Sequence, residues 1–119
     1  MSAPNIVQVS TITAKTAVTA VSTSATNIVA NSAGSNTVVK INTLIISNVD
    51  GTNSANVTVD LYRNSTAYRI AYTVAVPADS TLVILDKSSG IYLEEGDTLR
   101  ATASANSDLE AVCSYEIIG

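Results

Sequence analysis

The sequence predicts an all-β protein, an antiparallel β-sandwich of jelly-roll or immunoglobulin-like type with about seven or eight strands. Three observations carry that expectation. From residue 38 onward apolar and polar residues alternate with a period of two, the spacing of a strand half-buried against a core. Clusters of Asn, Asp, Ser and Gly punctuate the alternation at short intervals. Val, Ile and Thr abound while Glu, Lys, Gln and Met are scarce, a composition that suits a pleated surface better than a helix.

The elements follow in order. Val39, Ile41, Thr43 and Ile45 alternate with Lys40, Asn42 and Leu44, and a turn over residues 47–53, centred on Asp50-Gly51, ends that strand. Val57, Val59 and Leu61 point one way, Thr58, Asp60 and Tyr62 the other. After a short turn at Arg63-Asn64-Ser65, Tyr68, Ile70, Tyr72, Val74 and Val76 form one face, opposite Ala67, Arg69, Ala71, Thr73 and Ala75. Residues 57–76 therefore read as a hairpin with Val59 and Ile70 facing the core. Pro77 has no amide hydrogen for a ladder bond and stops it. Residues 81–85 form a continuous apolar run expected in a central strand, and residues 91–93 a short one. Leu99, Ala101 and Ala103 alternate with Thr98, Arg100 and Thr102. Leu109, Ala111, Cys113, Tyr115 and Ile117 mark the inward side of the last strand.

The first part of the chain is less regular. Residues 5–13 have strand character. Residues 14–33 mix Thr, Ala, Ser and Val, with Val18, Val21, Ile28 and Val29 as anchors, and a strand is expected over residues 26–30. The whole chain, residues 1–119, reads as one domain, with residues 1–13 either its first strand or an N-terminal arm. Ile6, Val7 and Val9 are the candidate partner-binding residues of that arm. A terminal segment frays unless something ties it down, and a neighbour's open sheet edge would satisfy its backbone.

The chemistry-bearing residues are few. The chain has no His, which removes the commonest general base and metal ligand together. Cys113, the single cysteine, alternates with core positions and reads as a buried inert thiol. No catalytic residue, cofactor or enzyme activity is expected. Glu94, Glu95 and Asp97 cluster around Gly96, too tightly for a glycosidase pair that flanks a substrate. A solvated turn is the favoured reading, and no metal is expected; calcium is the alternative, with Asp50 as a further candidate ligand, although no segment matches a specific calcium loop. Asn56-Val57-Thr58 and Asn64-Ser65-Thr66 fit the glycosylation pattern, but the start of the chain shows no basic region followed by an apolar run, so a secretory leader is not expected.

The surface is unusual. Charged residues are only 13% of the chain, about half the usual share, so Ser, Thr, Asn and Ala must cover most of it. Such a surface is easily desolvated against neighbours. The net charge is −4 with no basic cluster, so neither nucleic acid nor a membrane is an expected partner.

The segment Thr43-Leu44-Ile45-Ile46-Ser47-Asn48-Val49-Asp50-Gly51-Thr52, continued by residues 57–63, resembles virion proteins of tailed bacteriophages, notably those of marine and cyanobacterial hosts. Residues 76–83 and 108–116 look similar. The likeness runs from Val38 to the C-terminus. It implies a small β-sandwich made in the bacterial host cytoplasm and located in the virion. There it would act as a capsid decoration or cement protein bridging subunits of the major capsid protein, and the family analogy favours a trimer. The alternatives are a neck, tail or fibre accessory protein bound to other virion proteins, and a carbohydrate-binding module.

Overall fold

The computed structural model describes residues 4–119. Nine strands follow one another: β1 (Ile12–Val21), β2 (Thr26–Ala30), β3 (Val38–Asn48), β4 (Ala55–Arg63), β5 (Thr66–Val76), β6 (Thr81–Leu85), β7 (Ile91–Leu93), β8 (Thr98–Ala103) and β9 (Leu109–Ile118). They form two antiparallel sheets. One has the order β1-β9-β3-β6, with β7 also on β3, and the other β2-β8-β4-β5. β6 pairs with residues 44–47 of β3 and β7 with residues 39–41, so the two short strands share one position. In the loop between them, a side chain at Gly90 would stand 2.6 Å from the Ile41 carbonyl oxygen, and only glycine allows that crossing. Eight strand positions in two four-stranded layers, in this order, are a jelly roll.

The layers enclose an aliphatic core. Ile41, Leu44 and Ile46 of β3 and Leu109 and Cys113 of β9 meet Val57 and Val59 of β4 and Leu99 of β8, all fully buried. Each large side chain there contributes about 1.5–3 kcal/mol by leaving water. Two buried asparagines tie the ends. Asn31 donates from Nδ2 to the carbonyls of Thr37 (2.9 Å) and Leu93 (3.0 Å) at one end. Asn48 donates to those of Asn53 (3.0 Å) and Val76 (2.9 Å) at the other. Among the described residues no buried side-chain nitrogen or oxygen lacks a partner.

The β4–β5 hairpin closes through Asn64 and Ser65, both at positive φ, the two-residue turn whose twist matches the strands. Elsewhere the structure departs from the sequence expectation for local reasons. In β3 the register against β9 skips a residue between Ile41 and Thr43. This bulge reverses the alternation. Val39 and Ile41 face inward as expected, but beyond the bulge Leu44 and Ile46 are buried and Ile45 turns outward. In β5 the register shifts twice against β4, and Thr73 lies at φ 47°. The expected single apolar face is broken: Tyr68 and Tyr72 are exposed, Ile70 is half-buried and Val76 is buried. β6 is an edge strand, not a central one, and Val83 on it is 56% exposed.

The first strand begins at Ile12, not near residue 5. Residues 5–8 form a turn in which the Asn5 carbonyl accepts the Gln8 amide (2.9 Å) and Asn5 Oδ1 accepts the Val7 amide (3.0 Å).

Candidate interaction surfaces

The turn between β7 and β8 brings together three of the four calcium candidates, yet each carboxylate is already engaged. Asp97, buried, accepts Arg63 Nε at 2.7 Å and Nη2 at 2.6 Å, and also the Glu94 amide at 2.8 Å. Arg63 Nη2 reaches Glu94 at 3.0 Å. Glu95 accepts the amide of Asn36. Burial pushes the Asp97 carboxyl up, but the Arg63 hydrogen bonds, the Glu94 amide and the Arg63 charge outweigh it and hold it below the usual carboxylate range. The same contacts hold the Arg63 guanidinium above its ordinary value. Asp50 lies at the opposite end of β3, roughly 30 Å away at the rise of a strand. It accepts the Thr52 amide (2.9 Å) and Asn53 Nδ2 (3.3 Å). Among the described residues no group of three or more His, Cys, Asp or Glu side chains converges where a metal ion would fit. The acidic turn closes a loop onto β4 through Arg63.

Cys113 is fully buried, and burial pushes its thiol pKa up to about 11. The thiolate that a nucleophile needs is therefore scarce at neutral pH. With no His in the chain, no imidazole stands by to activate it.

The two outer faces differ in chemistry. On the β2 sheet, Asn56, Thr58, Asp60 and Tyr62 of β4 lie beside Thr98, Arg100 and Thr102 of β8. Asp60, only 3% exposed, accepts Arg100 Nε at 2.9 Å and Nη2 at 3.3 Å. The Arg100 guanidinium stacks 3.9 Å from the centre of the Tyr62 ring. On the β1 sheet, by contrast, the registers align Val18 with Val112, Val112 with Ile45 and Ile45 with Val83. These four form an apolar row crossing β1, β9, β3 and β6, and Val18 is 74% exposed. On one side of the row lie Ala20, Glu110, Ser47 and Thr81; on the other, Thr16, Ser114 and Thr43. A groove of about 340 Å³ over Val18, Ala20, Glu110 and Val112 opens onto this face.

Of the arm candidates, Ile6 is 50% and Val7 87% exposed, and Val9 is half-buried. The described part of the segment makes no strand of its own. Residues 1–3 of the expected arm lie outside the described residues. Sequence reasoning did not find the apolar row. The alternation of the last strand already put Val112 on its outward side, but Val18 was expected as an apolar anchor and is 74% exposed, and the Asn42 bulge that turns Ile45 outward has no mark in composition or periodicity.

No family model matches the sequence, and no curated protein matches it. The fold is similar to that of a solved protein of the Bacillus endospore appendages, described as a novel family of disulfide-linked pili. That match has 17% identity and a TM-score of 0.50, over 91% of this chain and 88% of the other. At that identity the likeness concerns the fold, a two-layer β architecture.

Proposed function

We propose that this chain is a non-catalytic structural subunit that works by adhering to other subunits of a large assembly, and that the assembly is a tailed-phage virion. Its role there is decoration or cementing of the head, with the major capsid protein as the partner. The observation that carries this reading is the apolar row of Val18, Val112, Ile45 and Val83 on the outer face of the β1 sheet. A carboxylate-rich turn already engaged by Arg63 and a buried, unactivated thiol support it. So does the resemblance of residues 43–63, 76–83 and 108–116 to phage virion proteins. Adhesion needs no reactive group. It needs desolvatable surface repeated by symmetry, so that many weak contacts sum. The test is composition and position in the particle. Mass spectrometry of purified virions should find the chain in many copies, and electron microscopy should place it on the outer head surface. Density at the neck or tail would move the role to an accessory protein there. Absence from the particle would refute the virion reading.

A second reading, a filament subunit, is supported by the fold likeness to a protein of disulfide-linked pili. Disulfide linkage of that kind is not available here, because the one cysteine, Cys113, is buried. A filament of this chain would persist in reducing agent. The carbohydrate-binding reading has less support. Tyr68, Tyr72 and Tyr92 are exposed, but Tyr72 already carries the Arg69 guanidinium 5.2 Å from its ring centre.

A further inference from the structure

We propose that the outer face of the β1 sheet is an isologous interface that pairs two copies of this chain. The proposal rests on the reading of the chain as an assembly subunit and names the surface and its occupant. The argument is self-complementarity. The face is ordered β1-β9-β3-β6, with β7 continuing the β6 position along β3. A two-fold axis parallel to the strands and running between β9 and β3 lays β1 over the partner's β6 and β9 over the partner's β3. In an isologous contact each such pair occurs twice.

The residues match under that operation. Val18 meets the partner's Val83, and Val112 meets the partner's Ile45, so the apolar row packs on itself. Glu116 and Lys40 are register partners across β9 and β3. Glu116 therefore faces the partner's Lys40, and Lys40 the partner's Glu116. Tyr92 is the register partner of Lys40 on β7, and Ala14 that of Glu116 on β1. The small Ala14 accordingly meets the partner's large Tyr92. Glu110, the remaining charge in these rows, faces the partner's Ser47, so no like charges are brought together.

The area is adequate. Four strands about 4.8 Å apart and about 10 residues long project roughly 600 Å² per copy. The two copies together bury about 1,200 Å², the lower bound of a standard stable interface. Two sheets stacked face to face lie about 10 Å apart, as inside a sandwich. The outer face of the β2 sheet lacks this match, because its centre is the Asp60–Arg100 pair with Tyr62.

Sedimentation velocity over a concentration series tests the proposal. The wild-type chain should form a dimer. Val18→Asp and Val83→Asp should each weaken it at least about tenfold, with circular dichroism and melting of the monomer unchanged because both side chains are exposed. Lys40→Glu alone and Glu116→Lys alone should weaken the dimer, and the double exchange should restore it. A trimer, a monomer at every concentration, or a dimer indifferent to Val18 and Val83 would overturn the interface. A dimer held through another surface overturns this interface and leaves the assembly reading standing. Absence from virions overturns the virion reading without touching the dimer measurement.

Discussion

The two outer faces of the sandwich are built from the same β-branched vocabulary and finish differently. On the β2 sheet the inner strands β4 and β8 carry Thr, Asn and the Asp60–Arg100 ion pair, with Arg100 covering Tyr62 and Asp60, and only the edge strand β5 leaves aromatic rings, Tyr68 and Tyr72, exposed. On the β1 sheet the central row is Val18, Val112, Ile45 and Val83. The first face has satisfied its polar groups within one copy. The second has left apolar surface in water. A chain with so few charges has little to cover that surface with, and a neighbour is the physical remedy. On the proposed reading the difference puts self-adhesion on the β1 face and leaves the centre of the β2 face to stability.

The most severe way to break this comparison uses two adjacent residues of β3. Leu44 is fully buried and Ile45 faces out. Leu44→Asp strands a charge in the core and should cost more than about 4 kcal/mol, much of the stability of a small domain. Ile45→Asp should cost about 1 kcal/mol or less in the isolated monomer and act on self-association. Urea unfolding of the two variants measures the contrast. Equal losses would mean that the bulge at Asn42 is misplaced.

Next in size is the β2 face. Arg100→Ala leaves Asp60 buried without its guanidinium partner and should destabilise by about 3 kcal/mol. Lys40→Ala, on the opposite face, should change monomer stability by less than about 0.5 kcal/mol. If both changes were small, the polar face would not be contributing to stability and the contrast would fail.

The Asp97 turn gives a pH signature. Its carboxyl is held below its unfolded value, so the stability it contributes is fully present above the unfolded pKa, near 4. That contribution is lost as pH falls through the lower folded value. Unfolding free energy should therefore fall as pH drops below about 4. Asp97→Asn should be less stable at neutral pH and show a shallower acid limb.

How much of this was legible in the sequence follows from the same physics. Regular two-residue alternation was readable wherever a strand lies inside a sheet without irregularity. The last strand, with Leu109, Ala111 and Cys113 inward, and β8, with Leu99, Ala101 and Ala103 inward, match the expectation. The turn at Asn64 and Ser65 was readable because both are turn residues and Asn tolerates positive φ. The β3 and β5 phases were not, because a bulge inserts one residue without changing composition. Thr73, a β-branched residue at φ 47°, gives no sequence cue for such a position. β1 escaped because an edge strand buries little, and its inward positions are Ala17, Thr19 and Val21. The calcium candidates were read from adjacency in sequence, which could not show that Arg63, on another strand, already holds two of them.

The smallest expected effect on stability concerns the segment before β1. Ile6 and Val7 are exposed, and the turn at residues 5–8 is closed by bonds within itself. What anchors the start of the sandwich is Thr11. Its carbonyl accepts the Gly119 amide at 3.1 Å, and its hydroxyl donates to the Gly119 carbonyl at 2.8 Å. Removing residues 1–10 keeps both bonds and should change unfolding free energy by less than about 0.5 kcal/mol. The β1 face is also intact in the shortened chain, so two-fold pairing should persist. If the segment is the proposed attachment arm, with Ile6, Val7 and Val9 as its apolar contacts, what should be lost is attachment to the larger assembly. Binding of the full and shortened chains to particles stripped of this protein reads that directly. Loss of stability on truncation would instead make the segment an integral part of the sandwich. Unchanged particle binding would transfer the attachment role to the sheet faces or loops.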